Sequence, residues 1–142
     1  MKALAVLFFL LGVAALLQRP AEFSHEEASH RAIAVNYAIY RNEVFLHVYA
    51  NRGLSGDIPL STLNMPESWQ ALRAWRSRVD GGRCYVYGEA SQEEIAAVRD
   101  LFHGSFAIGM ASNGRLIPVQ GNAIALPSFI PNGCLVSVTE VD

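Results

Sequence analysis

The chain has 142 residues, a formal net charge of −2 and 51% hydrophobic residues. That length holds one soluble domain with a modest core, and the 11 Lys+Arg are too scattered for a nucleic-acid-binding face. Arg73, Arg76 and Arg78 are the nearest thing to a basic cluster, and no internal repeat or low-complexity tract is present.

Met1-Lys2 supplies a short positive start, and Ala3 to Leu17 is an unbroken run of 15 apolar residues stopped by Gln18-Arg19-Pro20. As a helix the run covers roughly 23 Å of a roughly 30 Å hydrocarbon layer. It falls between a signal-peptide core of about 7–15 residues and a spanning helix of about 20. Lys2 and Arg19 can snorkel to lengthen the span, while Val13-Ala14-Ala15 offers a small-x-small cleavage site. Positive charge before the run, and Glu22, Glu26 and Glu27 after it, orient the N-terminus to the cytoplasm. The preferred expectation is a retained anchor within residues 1–19 and an exported domain over 20–142. A cleaved signal is the alternative.

Ser24-His25-Glu26-Glu27 spells a capping box and opens a helix expected over residues 24–51. Ala32, Val35, Ile39, Phe45, Val48 and Tyr49 form its apolar stripe, with Arg31, Asn36, Arg41, Asn42 and Glu43 mostly between them. Asn51-Arg52-Gly53 ends it. Only Pro20 separates this helix from the apolar run, so one nearly continuous, kinked helix is also open.

Leu54 to Pro66 reads as a loop, and Glu67 to Arg76 as a short helix carrying Trp69, Leu72 and Trp75. Arg78 to Gly88 reads as a strand entered through Asp80-Gly81-Gly82. Ser91-Gln92-Glu93-Glu94 is a second capping box, opening a helix through Ile95, Val98, Leu101 and Phe102. Ser105 to Val119 reads as a hairpin around Asn113-Gly114, and Pro131-Asn132-Gly133 is a turn before a last strand from Cys134 to Val141. The expected class is α+β: a long N-terminal helix packed on a small antiparallel sheet with one inserted helix, the plan of a pilin-type subunit.

Cys84 and Cys134 each fall in an expected strand. In an oxidising compartment a bridge between them would close a loop of about 50 residues and contribute up to about 4 kcal/mol. Two buried free thiols are the other reading. His25 and His30 are five apart and diverge by about 140° on a helix, so they do not make a zinc pair. His47 and His103 are isolated, and a Cys84–His nucleophile lacks an orienting third group. No phosphate-binding glycine loop and no G-x-S-x-G elbow occurs. Trp69, Trp75, Tyr85 and Tyr87 read as core and sheet-face residues, with a sugar or peptide groove as the alternative. The expectation is a non-enzyme with no cofactor and no metal.

Several segments carry a resemblance. They are Tyr40-Arg41-Asn42, residues 51–56 (NRGLSG), residues 60–66 (LSTLNMP), residues 79–87 (VDGGRCYVY), residues 121–127 (GNAIALP) and residues 130–133 (IPNG). In this order after an apolar helix, they resemble the small PilM family of conjugative-plasmid thin (type IVb) pilus operons. This is not the actin-like cytoplasmic protein of the same name. The pattern is also similar to type IVb pilin heads, but no glycine precedes a processed helix and no Glu lies within residues 3–17. The resemblance implies an inner-membrane assembly component with a periplasmic pilin-like domain, rather than a filament monomer. Its expected partners are other inner-membrane pilus assembly proteins or pilins, through protein contacts alone, and the membrane through residues 3–17. No nucleic acid and no small-molecule substrate is expected. The contact candidates are Tyr37, Tyr40 and Phe45, on the helix stripe left uncovered by the head, and Leu60 and Met65 in the loop. A minor pilin within the filament, or a secreted periplasmic binding module or enzyme, remain the alternatives.

Overall fold

The computed structural model describes residues 25–141 in full and, of residues 2–24, the helical backbone alone. The chain divides into two compact units, residues 1–30 and residues 31–142. Helix α1 spans Lys2–Ala50, so the start expected at Ser24 lies inside it. No helix among the described residues is long and apolar enough to cross a membrane, and the anchor expected at residues 3–17 lies outside the fully described residues.

Beyond α1 the second unit is a seven-stranded, wholly antiparallel sheet with one helix inserted. The strands are β1 (Gly56–Asp57), β2 (Arg76–Asp80), β3 (Arg83–Glu89), β4 (Ile108–Ser112), β5 (Arg115–Pro118), β6 (Ile124–Ala125) and β7 (Cys134–Glu140). Their order across the sheet is β1-β2-β3-β7-β4-β5-β6, so the last strand closes the gap between the two hairpins. Helix α2 (Gln92–Leu101) joins β3 to β4. The α+β expectation is met.

Side chains alternate between the faces of each strand, and both faces are covered. One face, through Val79, Val86, Ile108 and Leu135, packs on Ile33, Tyr37, Tyr40 and Val44 of α1 and on Ile95 and Val98 of α2. The other, through Tyr85, Tyr87, Leu116 and Val136, is roofed by Phe129 and Ile130 from the segment before β7. Tyr85 meets the Phe129 ring edge-on at 5.6 Å, and the Arg78 guanidinium lies 4.8 Å from the same ring. Tyr85 and Tyr87 are therefore sheet-face core, as the sequence suggested.

Two of the glycine-containing turns close hairpins. Asn113-Gly114 joins β4 to β5 as expected, with Ser112 opposite Arg115. The single strand expected over Arg78–Gly88 is instead the first hairpin, β2 with β3. Asp80 pairs with Arg83, and Gly81 and Gly82 form a two-residue turn with φ of 56° and 75°. Two consecutive positive φ values define the turn type that follows strand twist, and glycine adopts them without steric cost. The Asp-Gly-Gly sequence therefore lies between two strands rather than ahead of one.

The short helix expected over residues 67–76 does not form. A single 3₁₀ turn occupies Leu60–Thr62, and residues 67–75 run irregularly onto β2. What holds them is Asn36 of α1, only 8% exposed. Its Oδ1 accepts from the Trp75 indole (2.8 Å) and from the Leu72 amide (3.0 Å), and its Nδ2 donates to the Gln70 carbonyl (2.8 Å). The Asn36 carbonyl accepts from the Trp69 indole at 3.3 Å. These bonds go to side chains and to backbone groups that a helix would have used internally. Trp75 then lies on Gly88, where an added Cβ would stand 2.5 Å from the ring.

The second capping box forms as read: the Glu94 amide donates to Ser91 Oγ (3.2 Å) and the Ser91 amide donates to Glu94 Oε2 (3.0 Å). The same buried Glu94 pairs with Arg73, whose Nε donates to Oε2 at 3.2 Å. The irregular segment is thereby tied to α1 from Trp69 to Trp75 and, through Arg73 between them, to the start of α2.

The expected Cys84–Cys134 bridge is corrected by the strand register. In the β3–β7 pair Cys84 lies opposite Thr139 and Cys134 opposite Glu89, five positions away along either strand. At about 3.3 Å per residue the offset is about 17 Å, against a Cα separation of about 4.4–6.8 Å in disulfides. The two side chains also point into opposite cores, and both are buried free thiols. Intact mass of the chain purified without reductant is expected to match both thiols reduced, with alkylation appearing only after denaturant is added. Replacing Asn36 by Ala strands the Trp75 and Leu72 donors. It is expected to cost about 3 kcal/mol in urea unfolding, with Asn36→Asp at least as costly at pH 7 because the buried carboxylate has no donor for the Gln70 carbonyl.

Candidate protein-contact surface

The part of α1 within residues 31–50 is apolar on two opposite faces, and the sheet covers only one. The covered face carries its own polar groups, each matched. Tyr37 is fully buried, and its hydroxyl donates to the Val86 carbonyl at 2.9 Å. Burial raises the Tyr37 pKa, so the phenol stays a neutral donor. The Tyr40 hydroxyl shares a 2.9 Å hydrogen bond with Ser77 Oγ, and its ring stacks on Trp69 with centroids 6.0 Å apart. Arg41 Nε donates to Ser137 Oγ at 3.0 Å, while its guanidinium lies over Phe45 (4.3 Å) and over Phe102 at the end of α2 (4.9 Å). Desolvation lowers the Arg41 pKa, but a guanidinium retains its charge throughout the ordinary pH range.

Two of the sequence-based contact candidates are therefore core. Tyr37 and Tyr40 are 0% and 2% exposed, and Phe45 is half-buried beneath Arg41. Trp75 is likewise core, and Trp69 packs against the core half-buried. Of the apolar stripe read in the sequence, Val48 is core at 3% exposed and Phe45 half-buried, whereas Val35 is 43% and Tyr49 53% exposed, Ala32 is exposed and Ile39 half-buried. Leu46, 56% exposed, completes the stripe. At about 100° of rotation per residue Ala32, Val35, Ile39, Leu46 and Tyr49 share one side of the helix. It lies opposite the side of Tyr37, Val44 and Val48. The stripe read in the sequence mixed the two sides because both follow the helical period, and only the inward hydroxyl and carboxamide groups distinguish them.

Leu60 and Met65 are brought together. With Leu63 and Trp69 they line an open groove of about 560 Å³. Leu60 is 48% exposed, and the 3₁₀ turn at Leu60–Thr62 presents it. Trp69, at the back of the groove, is bonded to Asn36 and stacked on Tyr40, so this groove adjoins α1.

Cys84 does not meet the requirements of a nucleophile. Its thiol is fully buried and burial pushes its pKa up to about 12, away from the thiolate that reacts. Burial also raises Cys134, with Glu89 adding to the effect. Among the described residues no three His, Cys, Asp or Glu side chains gather as metal ligands.

The fold and its surface describe an α+β protein whose leading helix presents apolar side chains on both sides. The sequence matches the PilM family over residues 6–138, and the chain belongs to that family, which makes it a pilus-related protein. A crystal structure of a PilM protein from Escherichia coli B7A has the same fold. Its TM-score is 0.62 at 20% identity, over 80% of this chain and 94% of that one. A PilM protein from Pseudomonas aeruginosa 2192 is 26% identical over 79% of this chain and 94% of that one, with a TM-score of 0.48. No curated protein matches the chain.

The two faces of α1 are expected to respond differently to truncation. Val35→Ser and Leu46→Ser should each change unfolding free energy by no more than about 0.5 kcal/mol. Tyr37→Ala should cost about 3–5 kcal/mol, through the lost ring volume and the unpaired Val86 carbonyl. Urea denaturation followed by tryptophan fluorescence checks both.

Proposed function

We propose that the chain is an assembly component of a type IVb pilus machine, held at the bacterial inner membrane by residues 3–17, with residues 20–142 in the periplasm. It acts through protein–protein contacts and catalyses no reaction. The observation that carries this reading is the exposed apolar face of α1 at Val35, Leu46 and Tyr49. A monomer gains nothing from that face in water, whereas a partner covering it gains about 25 cal/mol for each Å² of apolar area removed. Membership of the PilM family supplies the pilus setting. The Leu60–Met65 groove is a second contact, one that adjoins α1 through Trp69.

The test joins structure to pilus formation. In cells making the pilus, the double variant Val35→Glu/Leu46→Glu is expected to accumulate at normal level and melt normally while surface pili disappear. A photo-crosslinking residue at position 46 should give an adduct with another pilus component. Normal piliation by a stable double variant would refute the assignment of this face, and full export of a shortened soluble chain would refute the anchor.

A further inference from the structure

Away from α1, the connection from α2 to β4 meets the segment after β5 in an open groove of about 670 Å³. It is lined by His103, Ser105, Phe106, Gln120, Asn122 and Ile124. This volume lies within the range of about 300–1,000 Å³ typical of small-ligand sites. Phe106 is 69% exposed, more than any other large hydrophobic side chain among the described residues. Beside it runs Gly121, at φ 95°, where a Cβ would stand 3.3 Å from Phe106 Cβ.

The polar groups of the groove are of one kind. No lining side chain carries a fixed charge. The side chains of His103, Gln120 and Asn122 make no hydrogen bond to the protein among the described residues, and Ser105 Oγ accepts only the Ala107 amide, at 3.3 Å. Two carboxamides, each both donor and acceptor, therefore line the same groove as the exposed aromatic ring.

We propose that this groove binds an uncharged glycan, with a sugar ring stacked on Phe106 and its hydroxyls bonded by Gln120 and Asn122. The chemistry selects this class in three steps. A phosphate or carboxylate ligand would find no cation to offset its desolvation. A wholly apolar ligand would cover the carboxamides and leave them unpaired. A pyranose has an apolar C–H face for the ring and a rim of hydroxyls that donate and accept, as the carboxamides do. An extended peptide would look instead for a free strand edge, and β6 offers only Ile124–Ala125. The aromatic groove weighed in the sequence at Trp69, Trp75, Tyr85 and Tyr87 is thus relocated to a phenylalanine in a loop.

The test is co-sedimentation of the purified full chain with insoluble chitin and with purified murein sacculi, followed by release with soluble tri-N-acetylchitotriose or maltotriose. Binding is expected, with Phe106→Ala reducing the affinity about tenfold and Asn122→Ala several-fold. Both variants should melt with the wild type, because the altered side chains are exposed. Binding to sacculi and chitin together identifies a cell-wall glycan as the source. Release by maltotriose as well as by tri-N-acetylchitotriose shows that any neutral pyranose serves. Both support the site. Failure of the wild-type chain to bind either polymer overturns it, as does undiminished binding by Phe106→Ala. Retention by a sugar-free murein stem peptide in place of chitin would also overturn it.

Discussion

The Asn36 carboxamide makes α1, the 67–75 segment and the first hairpin into one body. Two donors and one carbonyl from that segment converge on a single side chain of α1, and a third donor reaches its backbone carbonyl. Each such bond contributes about 1 kcal/mol net, but any arrangement that buried these groups unpaired would cost more. The segment is therefore confined to one path without regular secondary structure of its own. Its consequences run outward. Trp75 is fixed against the missing side chain of Gly88 and meets Tyr37 edge-on at 5.0 Å. Arg73 is delivered to Glu94, the residue that also caps α2.

This constraint explains where the sequence could and could not be read. The hairpin at Asn113-Gly114 and the capping box at Ser91–Glu94 are local devices, with every partner within a few residues, and both form as written. The 67–76 segment carries apolar residues at helical spacing, but its fate is decided by a residue more than thirty positions earlier. Nothing local marks Asn36 as buried, and in a helix a lone Asn among charged residues reads as solvent-facing. The phase of α1 was obscured for the same reason. When both faces are apolar, periodicity finds the helix without telling which face meets the sheet. The tyrosines held the answer, since hydroxyls reaching Val86 and Ser77 belong to the side with partners.

The cysteines illustrate a different limit. Strand content around Cys84 and Cys134 was legible, and the two strands are indeed neighbours. Register was not legible, and register alone decides whether two side chains on paired strands meet. An offset of five positions moves them apart and, being odd, also puts them on opposite faces.

The two sides of α1 differ in kind as well as in exposure. The inner side fixes its position with directed bonds from Tyr37, Tyr40, Asn36 and Arg41, so it admits one register on the sheet. The outer side, at Val35, Ile39 and Leu46, is mostly aliphatic, with the exposed Asn42 carboxamide among them and Tyr49 at its end. An aliphatic stripe supplies attraction but little register, since sliding by one turn costs few specific contacts. Any partner that covers it must take its alignment from elsewhere. The charged residues bordering the stripe, Arg31 and Glu43, can supply part of that alignment. The Leu60–Met65 groove, adjoining the same helix through Trp69, can supply the rest. A contact built this way separates affinity from orientation. The fold is thus set by one face of a helix while the other face is left exposed.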